Sequence, residues 1–308
     1  MQTMLRREFM GTAAAGAAAC LVSAGNPAWA ADDVPPVPPQ VPLGRTGITL
    51  SRVGQGTGVH GGNRQSDQSR MGFEKLVGLF RHAYDRGITF FDMADLYGTH
   101  VYFREALRHM ERDKLTILTK LWWRYDGPED DTRAPHRKEG ARATIERFCH
   151  EISTDYLDIV LLHCMTTKNW TDDLAPYMEA LAEAKEKKQV RAVGVSCHDY
   201  GALQAAADSP WVDVVLARIN PKGVMMDGTP EQITDVLRRI KQNGKAVIGM
   251  KIFGEGKLSS EREQCVEFAQ NLGLLDCMTI GFQETAQVDD MLRLIAKYPA
   301  KPVVTGTT

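Results

Sequence analysis

Eight times between Val53 and Ala296 a short apolar run gives way to an amphipathic stretch of helical period, and few folds can absorb that pattern. The runs are Val53–Gly56, Ile88–Asp92, Thr116–Lys120, Leu157–His163, Val190–Ser196, Val212–Arg218, Ala246–Lys251 and Cys277–Gly281. The stretches between and after them cover 73–85, 101–111, 137–152, 174–187, 201–207, 231–243, 261–271 and 287–296. Apolar runs this continuous suit parallel strands covered on both faces, and eight strand–helix units is the count of a closed (β/α)8 TIM barrel. A doubly wound open sheet is the competitor. Its glycine-rich fingerprint is missing, because Gly54-Gln55-Gly56-Thr57-Gly58 has neither the spacing nor a following helix. Ahead of the first run, Pro42–Leu50 reads as an N-terminal β-hairpin, turned at Gly44 and Gly47 and placed to plug one end of the barrel.

The first thirty residues follow other rules. Arg6-Arg7-Glu8-Phe9-Met10 precedes an Ala/Gly-rich apolar run and an Ala28-Trp29-Ala30 cleavage-type triplet, the pattern of a twin-arginine signal peptide. The run is shorter than a bilayer span, so no stable membrane anchor is expected. The sequence therefore divides into a leader over 1–30, a proline-rich linker over 31–41 and a barrel over 42–308. Such a leader implies the twin-arginine translocase as a partner during export, a periplasmic destination, and a cofactor inserted before export. With 37 basic against 39 acidic residues and no basic cluster in the body, a nucleic-acid surface is excluded. Five cysteines outlast the leader, without C-x-x-C spacing, and the eight histidines form no ligand set, so neither a disulfide framework nor a metal site is expected.

Three neighbouring strands end in ionisable groups: Asp92, Lys120 and His163. Parallel neighbours present their C-terminal ends on one rim, so these side chains converge there, with Tyr97 on the loop five residues past Asp92. A phenol is a weak acid at neutral pH, and Lys120 beside Tyr97 is expected to lower its pKa, with Asp92 holding the lysine. A neutral His163 is expected to hydrogen-bond a substrate oxygen. Trp122 and Trp123 after the third strand, and Cys164 and Met165 after the fourth, are expected pocket walls.

The stretch Gly87-Ile88-Thr89-Phe90-Phe91-Asp92 through Tyr97-Gly98, the strand ends at Lys120 and His163, and Gly194-Val195-Ser196 resemble the aldo-keto reductase superfamily from about Val41 to about Ile295. The resemblance implies a catalytic tetrad of Asp92, Tyr97, Lys120 and His163 and reduction of an aldehyde or ketone by hydride from NADP(H), or alternatively NAD(H), with Tyr97 as proton donor. It also implies cofactor contacts at Thr57, Ser196, Cys197, Lys251, Phe253, Gly254, Gly256 and Gly281. Four positions depart from the family pattern: Cys197 stands for Asn, Leu216 for Gln, Met291 for Asn, and Gly281-Phe282-Gln283 for the basic residues that read a 2′-phosphate. A carbonyl-reducing enzyme acting on a small molecule is the first expectation, and a non-catalytic nucleotide-binding or regulatory barrel is the alternative.

Overall fold

The computed structural model describes residues 34–126 and 134–303. The expected leader, the start of the linker and the last five residues lie outside the described residues. Contacts divide the chain after Val34, and the second unit, from Pro35 onward, carries everything that follows.

That unit opens with an antiparallel hairpin, β1 (Gln40–Pro42) and β2 (Thr49–Ser51). Eight parallel strands come next: β3 (Val53–Gly56), β4 (Phe90–Asp92), β5 (Thr116–Leu121), β6 (Leu157–Met165), β7 (Val190–Cys197), β8 (Val214–Arg218), β9 (Ala246–Met250) and β10 (Cys277–Ile280). They close into a barrel in chain order, with β10 against β3. The helices between and after them are α1 (Asp67–Arg70), α2 (Phe73–Asp85), α3 (His100–Leu107), α4 (Ala134–Ile152), α5 (Trp170–Asp173), α6 (Ala175–Glu186), α7 (Tyr200–Asp208), α8 (Pro230–Gln242), α9 (Arg262–Asn271) and α10 (Thr285–Lys297). The (β/α)8 barrel with an N-terminal hairpin read from the sequence is the architecture observed.

Side chains alternate across each strand, so the barrel has two apolar cores. The outer one lies between strands and helices and takes Phe91, Ile117, Val160, Leu162, Val193, Val195, Val215 and Val247. The inner one takes the alternate residues, Phe90, Leu118, Ile159, Leu161, Val214, Leu216, Ile248 and Cys277, together with Leu43, Ile48 and Leu50 of the hairpin. The hairpin therefore stoppers the barrel at the end where the strands begin. Continuing the inward set to the opposite end places Asp92, Lys120, His163, Ser196 and Arg218 at the mouth.

The observed elements differ from the sequence reading at several of their ends and by two short helices, α1 and α5. β4 starts at Phe90, two residues late, because Thr89 pairs with the hairpin through Ser51 N–H at 2.9 Å and Ser51 Oγ at 3.0 Å. The helix expected over 174–187 is α6, with Pro176 in its first turn, and the short α5 before it is not among the expected helices.

Candidate active site

Asp92 ends β4, and its carboxylate is held from both sides. Lys120 Nζ donates to Oδ1, and Thr279 Oγ1 on β10 donates to Oδ2 at 2.9 Å. Lys120 Nζ also donates to the Met93 carbonyl at 2.9 Å. Both side chains are buried, as is His163, so an ion pair sits fully formed beneath the mouth with little water around it.

Tyr97 closes a 3-10 turn over Asp95–Tyr97, and its hydroxyl lies 3.2 Å from His163 Nε2, ring edge to ring face. The four residues expected at the rim are thus assembled. Lys120 stands over the face of the phenol, 4.9 Å from the ring centroid, and is committed to Asp92 rather than to the hydroxyl. The ring is half-buried but its hydroxyl is enclosed. Burial first, then the charge of Asp92, pushes the phenol well above its ordinary pKa, the opposite of the lowering expected from Lys120. Tyr97 at rest therefore holds its proton. Burial also lowers Lys120, with Asp92 pulling it back up.

His163 is driven well below the usual imidazole range, by burial and then by Lys120, His198 and Lys251, so it is neutral at physiological pH. Its Nδ1 is buried without a hydrogen-bond partner among the described residues. With Nδ1 unprotonated, Nε2 carries the hydrogen and can donate it towards an oxygen in the mouth. The backbone carbonyl of His163 accepts from Trp123 Nε1 at 3.0 Å, and the Trp122 ring stands 5.6 Å from the imidazole. Trp122 thus stands beside the imidazole, and Trp123 braces the backbone that carries it.

The remaining expected contacts divide by strand face. Ser196 points inward, its Oγ accepting from Cys164 N–H at 2.9 Å. Cys197 and Met165 turn the other way, fully buried in the outer core, so neither lines the mouth. Thr57 is buried as well, its hydroxyl 2.9 Å from the Asp92 carbonyl and 3.0 Å from Thr99 Oγ1, where it braces β4. Lys251 pairs with Glu255 across the loop after β9, and Phe253 packs partly buried beside it. In the same loop Gly254 and Gly256 both take left-handed φ, and a Cβ on Gly256 would meet only Ser259 Oγ, at 3.9 Å. The backbone is open at Gly256 but not at Gly254, where a Cβ would stand 2.7 Å from Val224; Lys257 Nζ lies beside the Met225 sulfur at 3.5 Å, outside every ion pair among the described residues, so an anion fits at the Gly256 end of the loop. Gly281 is less open, since a Cβ there would stand 2.3 Å from Val59.

Sequence reasoning overlooked two groups. Arg218 and His198 meet at the mouth, and only the inward parity of Arg218 with Leu216 signals it. Asp95, with Arg64, Arg147 and Glu151, forms a second network under the Tyr97 turn. No cluster of His, Cys, Asp and Glu among the described residues has the arrangement of a metal site.

The fold has close counterparts among solved structures. The holo form of an aldo-keto reductase from Bacillus halodurans superposes with a TM-score of 0.61 at 17% identity, over 86% of this chain and 92% of that one. A Bombyx mori aldo-keto reductase in complex with NADP gives a TM-score of 0.62 at 18% identity, over 83% of this chain and 87% of that one. By sequence the chain is similar to the NADH-specific methylglyoxal reductase of Escherichia coli, at 25% identity over 192 residues, 58% of this chain and 58% of that protein. A second methylglyoxal reductase of Escherichia coli, YeaE, is 27% identical, over 59% of this chain and 60% of that protein. The chain thus spans little more than half the length of these curated relatives. The aldo/keto reductase family model matches residues 52–298, from the first barrel strand to just past the last helix and across all four residues of the rim. By that match the chain belongs to the aldo/keto reductase family.

Proposed function

We propose that this protein is an NAD(P)H-dependent oxidoreductase that reduces the carbonyl of a small aldehyde or ketone to an alcohol, with Tyr97 as the proton donor. The observation that carries the reading is the pairing of the Tyr97 hydroxyl with His163 Nε2 at 3.2 Å above the buried Asp92–Lys120 pair. Two donors converge on one point in a dry mouth, which is what a carbonyl oxygen gaining negative charge requires. The nicotinamide, when bound, supplies the hydride. Ser196 at the mouth and the backbone at Gly256, with Lys251 and Lys257, would hold the dinucleotide.

The chain's own residues do the rest. His163 orients the carbonyl through Nε2–H. Tyr97 gives its proton to the oxygen as the bond order falls, and Lys120, fixed by Asp92 near the ring face, stabilises the phenolate left behind. A phenol raised in the resting site resists ionising before substrate arrives, so its proton is present when needed. Tyr97→Phe removes only that proton and should cut turnover by roughly a hundredfold or more while nucleotide still binds. Steady-state rates beside fluorescence titrations with NADPH and NADH test this. Retained turnover in the variant removes Tyr97 from the role, and nucleotide binding without turnover of any aldehyde by the wild type favours a non-catalytic barrel.

The same reading extends to address. The leader over 1–30 supports export of the folded protein by the twin-arginine translocase to the periplasm, which fractionation of the producing cells tests.

A further inference from the structure

Arg218 is the last residue of β8 and shares its inward face with Val214 and Leu216, which puts it at the same end of the barrel as Lys120, His163 and Ser196. One terminal nitrogen donates to His198 Nδ1, and the other to Asp227 Oδ1 at 3.2 Å. The Nε–H is buried and has no acceptor among the described residues. His198 Nε2 lies 3.5 Å from the sulfur of Cys164, the residue that follows His163. The guanidinium is therefore two contacts away from Cys164, the chain neighbour of His163.

Lys120, Arg218, Arg124 and Lys251 all act on the Cys164 thiol, while Asp199, Asp227 and Glu255 lie within reach of the same cations. Lys120 and Lys251 have carboxylates of their own in Asp92 and Glu255. Arg218 has Asp227, whose carboxyl burial pushes up to about 6, and it retains a buried donor that nothing among the described residues satisfies. A guanidinium pinned at both outer nitrogens still carries N–H donors in a fixed fork, preorganised to donate to one more oxygen.

We propose that Arg218, positioned by His198 and Asp227, is an anion subsite that binds a carboxylate on the carbonyl substrate, so that aldehydo and keto acids are preferred over neutral carbonyl compounds. This deepens the reductase reading and rests on it for the word substrate, but the subsite can be tested without turnover.

Calorimetric titration of the full chain with 4-(hydroxymethyl)benzoate and with its neutral isostere 4-(hydroxymethyl)benzamide, each with and without saturating NADP+, decides it. The carboxylate is expected to bind roughly tenfold or more tightly than the amide in both states. The preference should vanish in Arg218→Met and survive in part in Arg218→Lys, which keeps the charge and loses the fork. Equal affinities in the wild type overturn the proposal with no variant needed. So does carboxylate binding that NADP+ abolishes, which would give Arg218 to the nucleotide. A variant that loses melting temperature but keeps the preference would show that Arg218 only ties the loop carrying Asp227. Rates with 4-formylbenzoate and 4-formylbenzamide form a separate arm: no reduction of either removes the reductase reading, while the titrations still decide the subsite.

Discussion

Asp95 does for Tyr97 what Asp92 does for Lys120. It begins the turn that Tyr97 ends, is buried, and receives Arg64 at 2.5 Å and Arg147 at 3.0 and 2.8 Å. Glu151 continues the chain of contacts, taking Arg147 at 2.8 Å and His100 Nδ1 at 2.7 Å, and His100 reaches Thr119 Oγ1 at 2.8 Å, one residue before Lys120. Asp95→Asn leaves Arg64 and Arg147 with Glu151 as their remaining carboxylate. It should cost about 2 kcal/mol in urea unfolding and lower turnover more than it weakens substrate binding. Unchanged kinetics in a destabilised variant would confine Asp95 to stability. Burial would raise the Glu151 carboxyl, but its bonds to His100 and Arg147 prevail and bring it down to about 2. A carboxyl lowered in the fold stabilises above its unfolded value of 4.5 and loses that contribution as pH falls towards 2. Glu151→Gln should therefore flatten the stability curve between those limits, at a cost of about 2 kcal/mol at neutral pH once solvent screening at its half-buried edge is allowed for. None of this network was legible in the sequence. Arg64 and Arg147 reach Asp95 from opposite directions along the chain, and no periodicity records such a meeting. Asp92, Lys120 and His163 were legible because each is the last inward residue of an apolar strand, a purely local signal.

Elements tell a similar story about what is local. All eight strands could be read from apolar runs, and Asp92, Lys120, His163, Ser196 and Arg218 each fall at, or within two residues of, an observed strand end. Their starts were harder, as Thr89 shows, because a hydroxyl bonded to a distant hairpin looks in sequence like one more strand residue. Faces were the other gap: Cys197 sits next to Ser196, yet alternation sends it into the outer core, and the same rule brings Arg218 to the mouth. How closely two strands approach cannot be read at all. On β7, a Cβ added to Gly194 would stand 1.8 Å from the Val214 carbonyl oxygen of β8, backbone that cannot move aside without parting the two strands. Gly194→Ala should cost about 3 kcal/mol in urea denaturation and, by opening the barrel between Ser196 and Arg218, should weaken nucleotide binding as well. An alanine variant with wild-type stability would mean that the strands slide to make room.

At the scale of the whole molecule, the proposed export requires the chain to carry its address through folding without burying it. If Arg6 and Arg7 are read as a pair by the translocase, replacing both by Lys keeps the charge and loses the signal. The precursor should then collect in the cytoplasm with its barrel intact, and normal export of the double variant would mean the leader is of another kind. The stopper of the barrel bears on the same problem through time. Leu43, Ile48 and Leu50 leave the ribosome early, yet the bore they fill is lined by residues as late as Cys277. At ordinary elongation rates that is a wait of roughly ten to fifty seconds, during which the start of the chain has nowhere to settle. The first part made is the last part seated, so completion of the polypeptide, and not the appearance of any one segment, sets the moment at which this molecule can close.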